Sequence, residues 1–335
     1  METAGLLDLQ VNGYAGVDFN DPALDAAALD HALAAMLRAG VTACLPTLIT
    51  APEAVLAERL AALDRAVARS RLGPFMVPGF HLEGPFLNPT PGFVGCHPPD
   101  AMVPPDPALL RRLMAGLARP VLMLTLAPEQ AGGIALVRWA RGQGMLVAIG
   151  HSAADAAVLS EAAEAGATLS THLGNALPHM LAKFRNPLVA HLAEDRLCAS
   201  FIADGIHIPE PALKVLLRAK GLARSVLVTD ATAAAAAPPG TYCFAGMSVE
   251  HTENGEVYVP GTTRLAGSAL RLDQAVRNIV GWDLATPADA VRLAADNPAR
   301  LLAPALSAHG VQLREAGVTW SDALAPEQVR LEGIG

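Results

Sequence analysis

Residues 145–172 read MLVAIGHSAADAAVLSEAAEAGATLSTH, and this stretch sets the architecture of the whole chain. Two short apolar runs, Met145–His151 and Ala167–His172, flank a segment, Ala154–Ala165, whose apolar residues recur at helical spacing. Gly166 follows directly, a common helix stop. A strand, a helix and a second strand in this order form the repeat of a parallel sheet, and here both strand runs end in histidine.

The same alternation extends in both directions. Leu6–Gln10, Val41–Thr47, Phe75–Glu83, Val121–Ala127, Ala199–Asp204 and Val226–Asp230 bring the strand-like runs to eight. Helical spacing recurs over Ala26–Ala39, Glu53–Ser70, Ala131–Gly142 and Glu210–Gly221, with Gly40, Gly144 and Gly221 as further stops. Eight repeats predict an α/β fold, a (β/α)8 TIM-type barrel, which typically needs about 250 residues plus its loops. No G-x-G-x-x-G follows the first run, which argues against an open dinucleotide-binding sheet. Beyond Asp230, Glu253-Asn254-Gly255 signals a hairpin inserted near 241–260. Helices are expected over Ser268–Val280 and Pro287–Leu302, and a short strand over Val329–Leu331. The expected division is a barrel over 1–304 and a C-terminal tail, 305–335, the remnant of a small β domain.

Composition narrows the function. Of 335 residues, 52% are hydrophobic and 17% charged, enough for a large core and too apolar for disorder. The net charge of −8 gives no reason to expect nucleic acid or an anionic membrane as partner, so a site for an anionic substrate must gather positive charge locally. The cysteines Cys44, Cys96, Cys198 and Cys243 are widely spaced, which argues against a structural zinc site or a disulfide framework. Neither a signal peptide nor a membrane span is legible, and a cytoplasmic location is expected.

Glu83, His151, His172, Asp204 and Asp230 each close a predicted strand. In a barrel those ends converge on the active-site face, where a buried charge is costly without a metal or a partner. One carboxylate and two imidazoles, Glu83, His151 and His172, suit Zn2+ or Fe2+ with a position left for water. Asp230 can then take a proton from that water, or alternatively pair with a nearby cation. His81 shares the strand face of Glu83 and is expected to support it rather than to ligate. Asp204-Gly205 also reads as an ordinary turn.

Taken in order, His81-Leu82-Glu83-Gly84-Pro85-Phe86, Gly150-His151-Ser152, Thr171-His172-Leu173-Gly174-Asn175-Ala176, Asp204-Gly205-Ile206-His207 and Val228-Thr229-Asp230-Ala231 resemble the N-acetylglucosamine-6-phosphate deacetylases of the amidohydrolase superfamily. The resemblance runs from about Leu7 to Leu302. It implies one catalytic metal on Glu83, His151 and His172, Asp230 as acid and base, and His97 as an oxyanion stabiliser. It further implies a substrate pocket lined by Cys96, His97, Asn175, Ala176, Arg185, Asp204, Gly205, Ile206, His207, Leu265, Ala266 and Gly267. Arg185 and His207 would hold the phosphate, in part across a homodimer interface. Gln10 and Asn12 stand on strand one where many superfamily members carry His-x-His, which implies a single-metal site. Two departures stand out. The family's N-terminal segment is missing before strand one, so the small β-sandwich is expected to be absent or strongly reduced. The region Lys183-Phe184-Arg185-Asn186-Pro187 differs from the family, which leaves Lys183 as a rival to Arg185. Deacylation of a different N-acyl amino sugar and a non-catalytic sugar-phosphate-binding barrel are the alternative functions.

Overall fold

The computed structural model describes residues 1–334. The eight strands are β1 (Leu6–Val11), β2 (Val41–Ile49), β3 (Phe80–Glu83), β4 (Val121–Leu126), β5 (Leu146–Ile149), β6 (Ala167–Ser170), β7 (Cys198–Phe201) and β8 (Ser225–Leu227). They form one sheet in sequential order with every neighbour parallel. The ring closes beyond the last ladder: Asp230 N–H donates to Gln10 O at 2.9 Å and Asn12 N–H to Ala231 O at 2.7 Å. The expected (β/α)8 barrel is the observed fold.

The helices between strands are α1 (Ala26–Arg38), α2 (Glu53–Arg69), α3 (Pro107–Met114), α4 (Gly133–Gly142), α5 (Ala156–Ala165), α6 (Pro187–Ala193) and α7 (Glu210–Lys220). Asp25, Asp106, Asp155 and Asn186 cap α1, α3, α5 and α6 by accepting from first-turn amides. Two of these helices, α3 and α6, have no counterpart in the expected pattern. Each spans only about two turns and starts with proline at its first position, so cap chemistry marks them better than periodicity does. The long run expected over Phe75–Glu83 is split, because Gly73–Met76 forms one helical turn and the strand begins only after Pro78-Gly79. The helix expected over Pro287–Leu302 is two, α9 (Pro287–Ala294) and α10 (Asp296–Ala308), with α8 (Leu272–Gly281) before them. They part at Ala295, whose ψ of −75° takes it out of helical geometry.

The 241–260 insertion is a three-stranded antiparallel sheet of Gly240–Phe244, Met247–His251 and Val257–Tyr258. At the chain ends the strand expected at Val329–Leu331 extends over Pro326–Leu331 and pairs with Ala316–Trp320. That strand in turn pairs with Glu2–Ala4. The N-terminal residues therefore contribute a strand, and the 305–335 tail, expected to stand alone, shares a three-stranded antiparallel sheet with them.

Inside the barrel a hydrogen-bonded band of polar side chains underlies the mouth. His81 joins Thr47 Oγ1 at 3.0 Å and Thr125 Oγ1 at 2.8 Å, and Thr125 meets Thr171 Oγ1 at 3.0 Å. Burial lowers His81 to about 4 against the pull of the Glu83 charge, so the ring is a neutral strut between the two threonines.

Candidate active site

Past the strand ends the backbone turns sharply. His151, His172 and Asp230 adopt φ of 51°, 31° and 50°, left-handed values that cost a non-glycine residue about 1–3 kcal/mol each. The turn ends the β-ladders two or three residues early, which is why the expected strands were too long, and it swings these side chains over the mouth.

Glu83 is the hub. Its Oε1 lies 3.0 Å from His172 Nε2 and 3.5 Å from His151 Nε2, and its Oε2 lies 3.5 Å from His97 Nε2. Gln10 Nε2 donates to Glu83 Oε1 at 3.0 Å and to Asp230 Oδ1 at 3.1 Å, while Asn12 Nδ2 donates to Asp230 Oδ1 at 2.7 Å. Gln10 and Asn12 thus stand behind the two carboxylates. Burial alone would raise Glu83, but its histidine contacts hold it well below the usual carboxylate range. Asp230 goes the other way, to about 6, because it is enclosed and faces the Glu83 charge. Its Oδ2 has no hydrogen-bond partner among the described residues.

The imidazoles are oriented by groups that the sequence did not advertise. His151 Nδ1 sits 2.8 Å from Phe93 O, which fixes its proton there and leaves Nε2 a bare lone pair. The supporting loop packs closely, since any Cβ on Gly95 (φ +56°) would lie 2.7 Å from His151 Cε1. His97 differs. The Thr50 amide N–H points at its Nδ1 at 3.4 Å and Thr50 Oγ1 lies at 2.9 Å, so Nδ1 accepts and Nε2 carries the proton. Burial and the neighbouring His151 lower His97 to about 4, and it remains neutral. For His172 burial opposes protonation, yet the hydrogen bond to Glu83 prevails and raises it. Ligand-capable atoms of Glu83, His97 and His151 all lie within 4.8 Å of one another, and His172 joins through Glu83.

Above this floor opens a cavity of about 430 Å3. Of the residues expected there, Cys96, His97, Asn175, Ala176, His207, Leu265 and Gly267 line it. Ala266 is buried behind the wall in a small apolar cluster with Ile49 and Phe244. Asp204, Gly205 and Ile206 stand back. Asp204 accepts from the Ile206 and His207 amides at 2.8 Å each and holds His207 Nδ1 at 2.6 Å, so it both caps its loop and aims the ring. Gly205 lies against Trp282. Arg185 and Lys183 are exposed on the 180–185 segment and do not border the cavity of their own subunit. Sequence reasoning missed Phe244, Thr263 and Arg264, which do. His179 lines it too.

Known proteins share this layout. The amidohydrolase family pattern matches residues 1–303. An N-acetylgalactosamine-6-phosphate deacetylase of Escherichia coli O157:H7 is 37% identical over 298 residues, 88% of this chain and 76% of the relative. An N-acetylglucosamine-6-phosphate deacetylase of Bacillus subtilis is 31% identical over 300 residues, 89% of this chain and 74% of the relative. Among solved structures, the N-acetyl-D-glucosamine-6-phosphate deacetylase of Mycobacterium smegmatis superposes with a TM-score of 0.86 at 30% identity, covering 98% of this chain and 86% of that one. A variant of it was solved in complex with N-acetyl-D-glucosamine-6-phosphate, again with a TM-score of 0.86. The chain belongs to the amidohydrolase family.

Proposed function

We propose that the protein hydrolyses the acetamide of N-acetyl-D-glucosamine 6-phosphate to D-glucosamine 6-phosphate and acetate. The observation that carries this reading is Asp230. It is a carboxylate with one oxygen fixed by two amides and the other free, beside the Glu83–histidine cluster, in a cavity of sugar size.

The residues fit a divalent metal. Glu83 Oε1 is approached by His151 Nε2 and His172 Nε2, and buried His172 Nδ1, Gln10 Oε1 and Asn12 Oδ1 lack hydrogen-bond partners among the described residues. Such close approach of donors around an anionic oxygen is what a bound cation satisfies. Glu83, His151 and His172 would hold one ion, Zn2+ or Fe2+, and His97, protonated on Nε2, would face the substrate. A metal there supplies Lewis acidity, which acidifies a water and polarises a carbonyl.

The protein's own groups complete the reaction. Asp230 Oδ2 accepts a proton from the attacking water, and Asn12 and Gln10 keep that carboxylate turned toward the mouth. His97 Nε2–H donates to the oxygen that gains charge as the amide carbon becomes tetrahedral. Asp230 then returns its proton to the departing nitrogen, the C–N bond breaks, and acetate and the free amine remain. A pKa near neutrality lets one carboxyl do both jobs.

Met180 and Phe184 are 88% and 80% exposed on the segment that carries Lys183 and Arg185. Apolar side chains so displayed support a homodimer in which this segment meets a second subunit, where Arg185 or Lys183 reaches the partner's phosphate. No helix among the described residues is long and apolar enough to cross a membrane, and the reading places the enzyme in the cytoplasm.

The test is acetate release by Zn2+-loaded protein from N-acetylglucosamine 6-phosphate, its galactosamine epimer and both unphosphorylated sugars. The 37% identity to a galactosamine-type deacetylase favours the epimer as second reading. A higher kcat/KM on the galactosamine ester would establish that reading instead. No release from any of the four would overturn the deacetylase.

A further inference from the structure

We propose that Arg264 is the same-subunit contact for the substrate's phosphate, an inference that rests on the phosphosugar reading above. The cavity floor is anionic, with Glu83 and Asp230 exposed to it, in a protein of net charge −8. A phosphate entering this field needs a fixed cation nearby. Among the described residues that border the cavity, Arg264 is the only lysine or arginine.

The substrate's shape says where that cation must stand. The acetamide on C2 and the phosphate on O6 project from opposite sides of the pyranose ring. With the acetamide over Asp230 and the histidines, the phosphate is carried a ring's width outward, to the rim. Apart from the histidines around Glu83, four nitrogen-bearing side chains border the cavity, Asn175, His179, His207 and Arg264, and Asn175 Nδ2 is already spent on His172 O at 3.0 Å. His207 has already committed Nδ1 to Asp204 at 2.6 Å, which leaves Nε2 as its single contact. Arg264 keeps its entire planar fork, since no carboxylate or carbonyl partner engages the guanidinium among the described residues. A free guanidinium matches two phosphate oxygens at once, which neither histidine can do.

The side chain is launched from a fixed base. Val259 N–H donates to Arg264 O at 3.0 Å, and Arg264 N–H donates to Thr262 Oγ1 at 3.2 Å. Leu265 bridges to Tyr258, Ala266 N–H donates to Val257 O at 2.9 Å, and Ser268 N–H donates to Asp230 O at 2.9 Å. The segment that carries Arg264 is therefore tied at one end to the inserted sheet and at the other to the proposed acid–base residue. The backbone at Arg264 is thus held in place while its exposed side chain stays free to meet an anion at the rim. It gives the phosphate a same-subunit contact in addition to the one that Arg185 or Lys183 of a second subunit would make.

The experiment compares wild type, Arg264→Ala, Arg264→Lys and Arg185→Ala, each metal-loaded, on phosphorylated and unphosphorylated N-acetylglucosamine. Metal content and Tm check that each variant folds. In Arg264→Ala the preference for the phosphorylated sugar should fall about tenfold to a hundredfold, the worth of a charge-assisted pair, mainly through KM. Arg264→Lys should recover part of it, having the charge without the fork. An unchanged preference in Arg264→Ala, with the loss appearing only in Arg185→Ala, would overturn the proposal and give the phosphate to the exposed segment. If wild type deacetylates neither sugar, the functional reading fails separately. Calorimetry with inorganic phosphate then decides the anion site: weaker binding to Arg264→Ala upholds it, and equal binding removes it.

Discussion

The two ends of the barrel both bury ionisable and amide side chains, and they use them in opposite ways. Toward the N-terminal ends of the strands, Lys220 is fully buried and donates to the carbonyls of His191 and Glu194 at 2.8 Å each. Asn297 donates there to Leu222 O at 2.9 Å and Ser225 O at 2.8 Å. Those donors are spent on backbone carbonyls where helices and strands meet at this end. At the mouth, Gln10, Asn12 and His172 keep buried atoms without partners among the described residues, and Asp230 keeps an oxygen free of them. Satisfied buried polarity holds a structure together, whereas unsatisfied polarity gathered beside a cavity is what a ligand can complete; Tyr14 Oη and Arg59 Nε are also unpartnered among the described residues but do not border the cavity at the mouth. The cavities follow suit. The far one, about 220 Å3 and bordered by Arg141, Cys198, Asn297 and Arg300, holds no cluster of this kind, so its presence alone is no sign of chemistry.

The sharpest way to break this contrast is to change the free oxygen. Asp230→Asn keeps the size and removes the proton acceptor, and kcat should fall about 10²–10⁴-fold with metal retained. Near-normal turnover would make Asp230 as structural as Lys220. The next effect separates the histidines. His172→Ala should lose bound metal, read by elemental analysis, and with it activity. His97→Ala should keep the metal and lose roughly 10²–10³ in kcat. The opposite pattern would make His97 the ligand, in line with its position within 4.8 Å of Glu83 and His151.

Much of the mouth could be read in advance because a parallel barrel collects the residues that follow its strands. Glu83, His151, His172 and Asp230 declared themselves as polar stops on apolar runs. What stayed hidden was whatever depends on a loop's path. Phe93 O and Thr50, which set the tautomers of His151 and His97, carry no signal of their own. Arg264 follows an insertion whose hairpin was legible, but the path that brings the segment after it to the mouth was not. The pairing of Glu2–Ala4 with Ala316–Trp320 joins opposite ends of the chain, and local pattern has no access to it. Arg185, a motif position carried over by resemblance as a contact made in part across a dimer interface, lies exposed outside the cavity of its own chain.

A smaller effect sharpens the comparison within one seam of the barrel. Asp8 and Asp230 both serve the junction of β1 and β8, but Asp8 is fully bonded: it accepts from Thr229 Oγ1 at 2.6 Å, Thr229 N at 3.2 Å and Gln10 N at 3.3 Å. Burial nevertheless raises it from 3.8 to about 7. Between those values the folded state binds more protons than the unfolded one, so stability should fall as pH rises through that window and level off above about 7. The difference in denaturation midpoint between wild type and Asp8→Asn should shift across pH 4–7 accordingly, and a constant difference would refute the linkage.

The smallest effect belongs to the far end. Burial, helped by Arg224, lowers Lys220 to about 8, so its charge is held at a cost that its two carbonyls offset. Lys220→Met removes both sides of that balance: two carbonyls lose a donor at about 1–2 kcal/mol in total, and the buried charge disappears. The net change in stability at pH 7 should stay near or below about 1 kcal/mol, with kcat unaltered. Its signature is pH. The wild type should gain stability from about 8 toward 10.5, where the unfolded chain binds the extra proton, and the methionine variant should not. A variant that kept its fold but lost turnover would mean that the two ends of the barrel are coupled, and that satisfied polarity far from the mouth also serves the reaction.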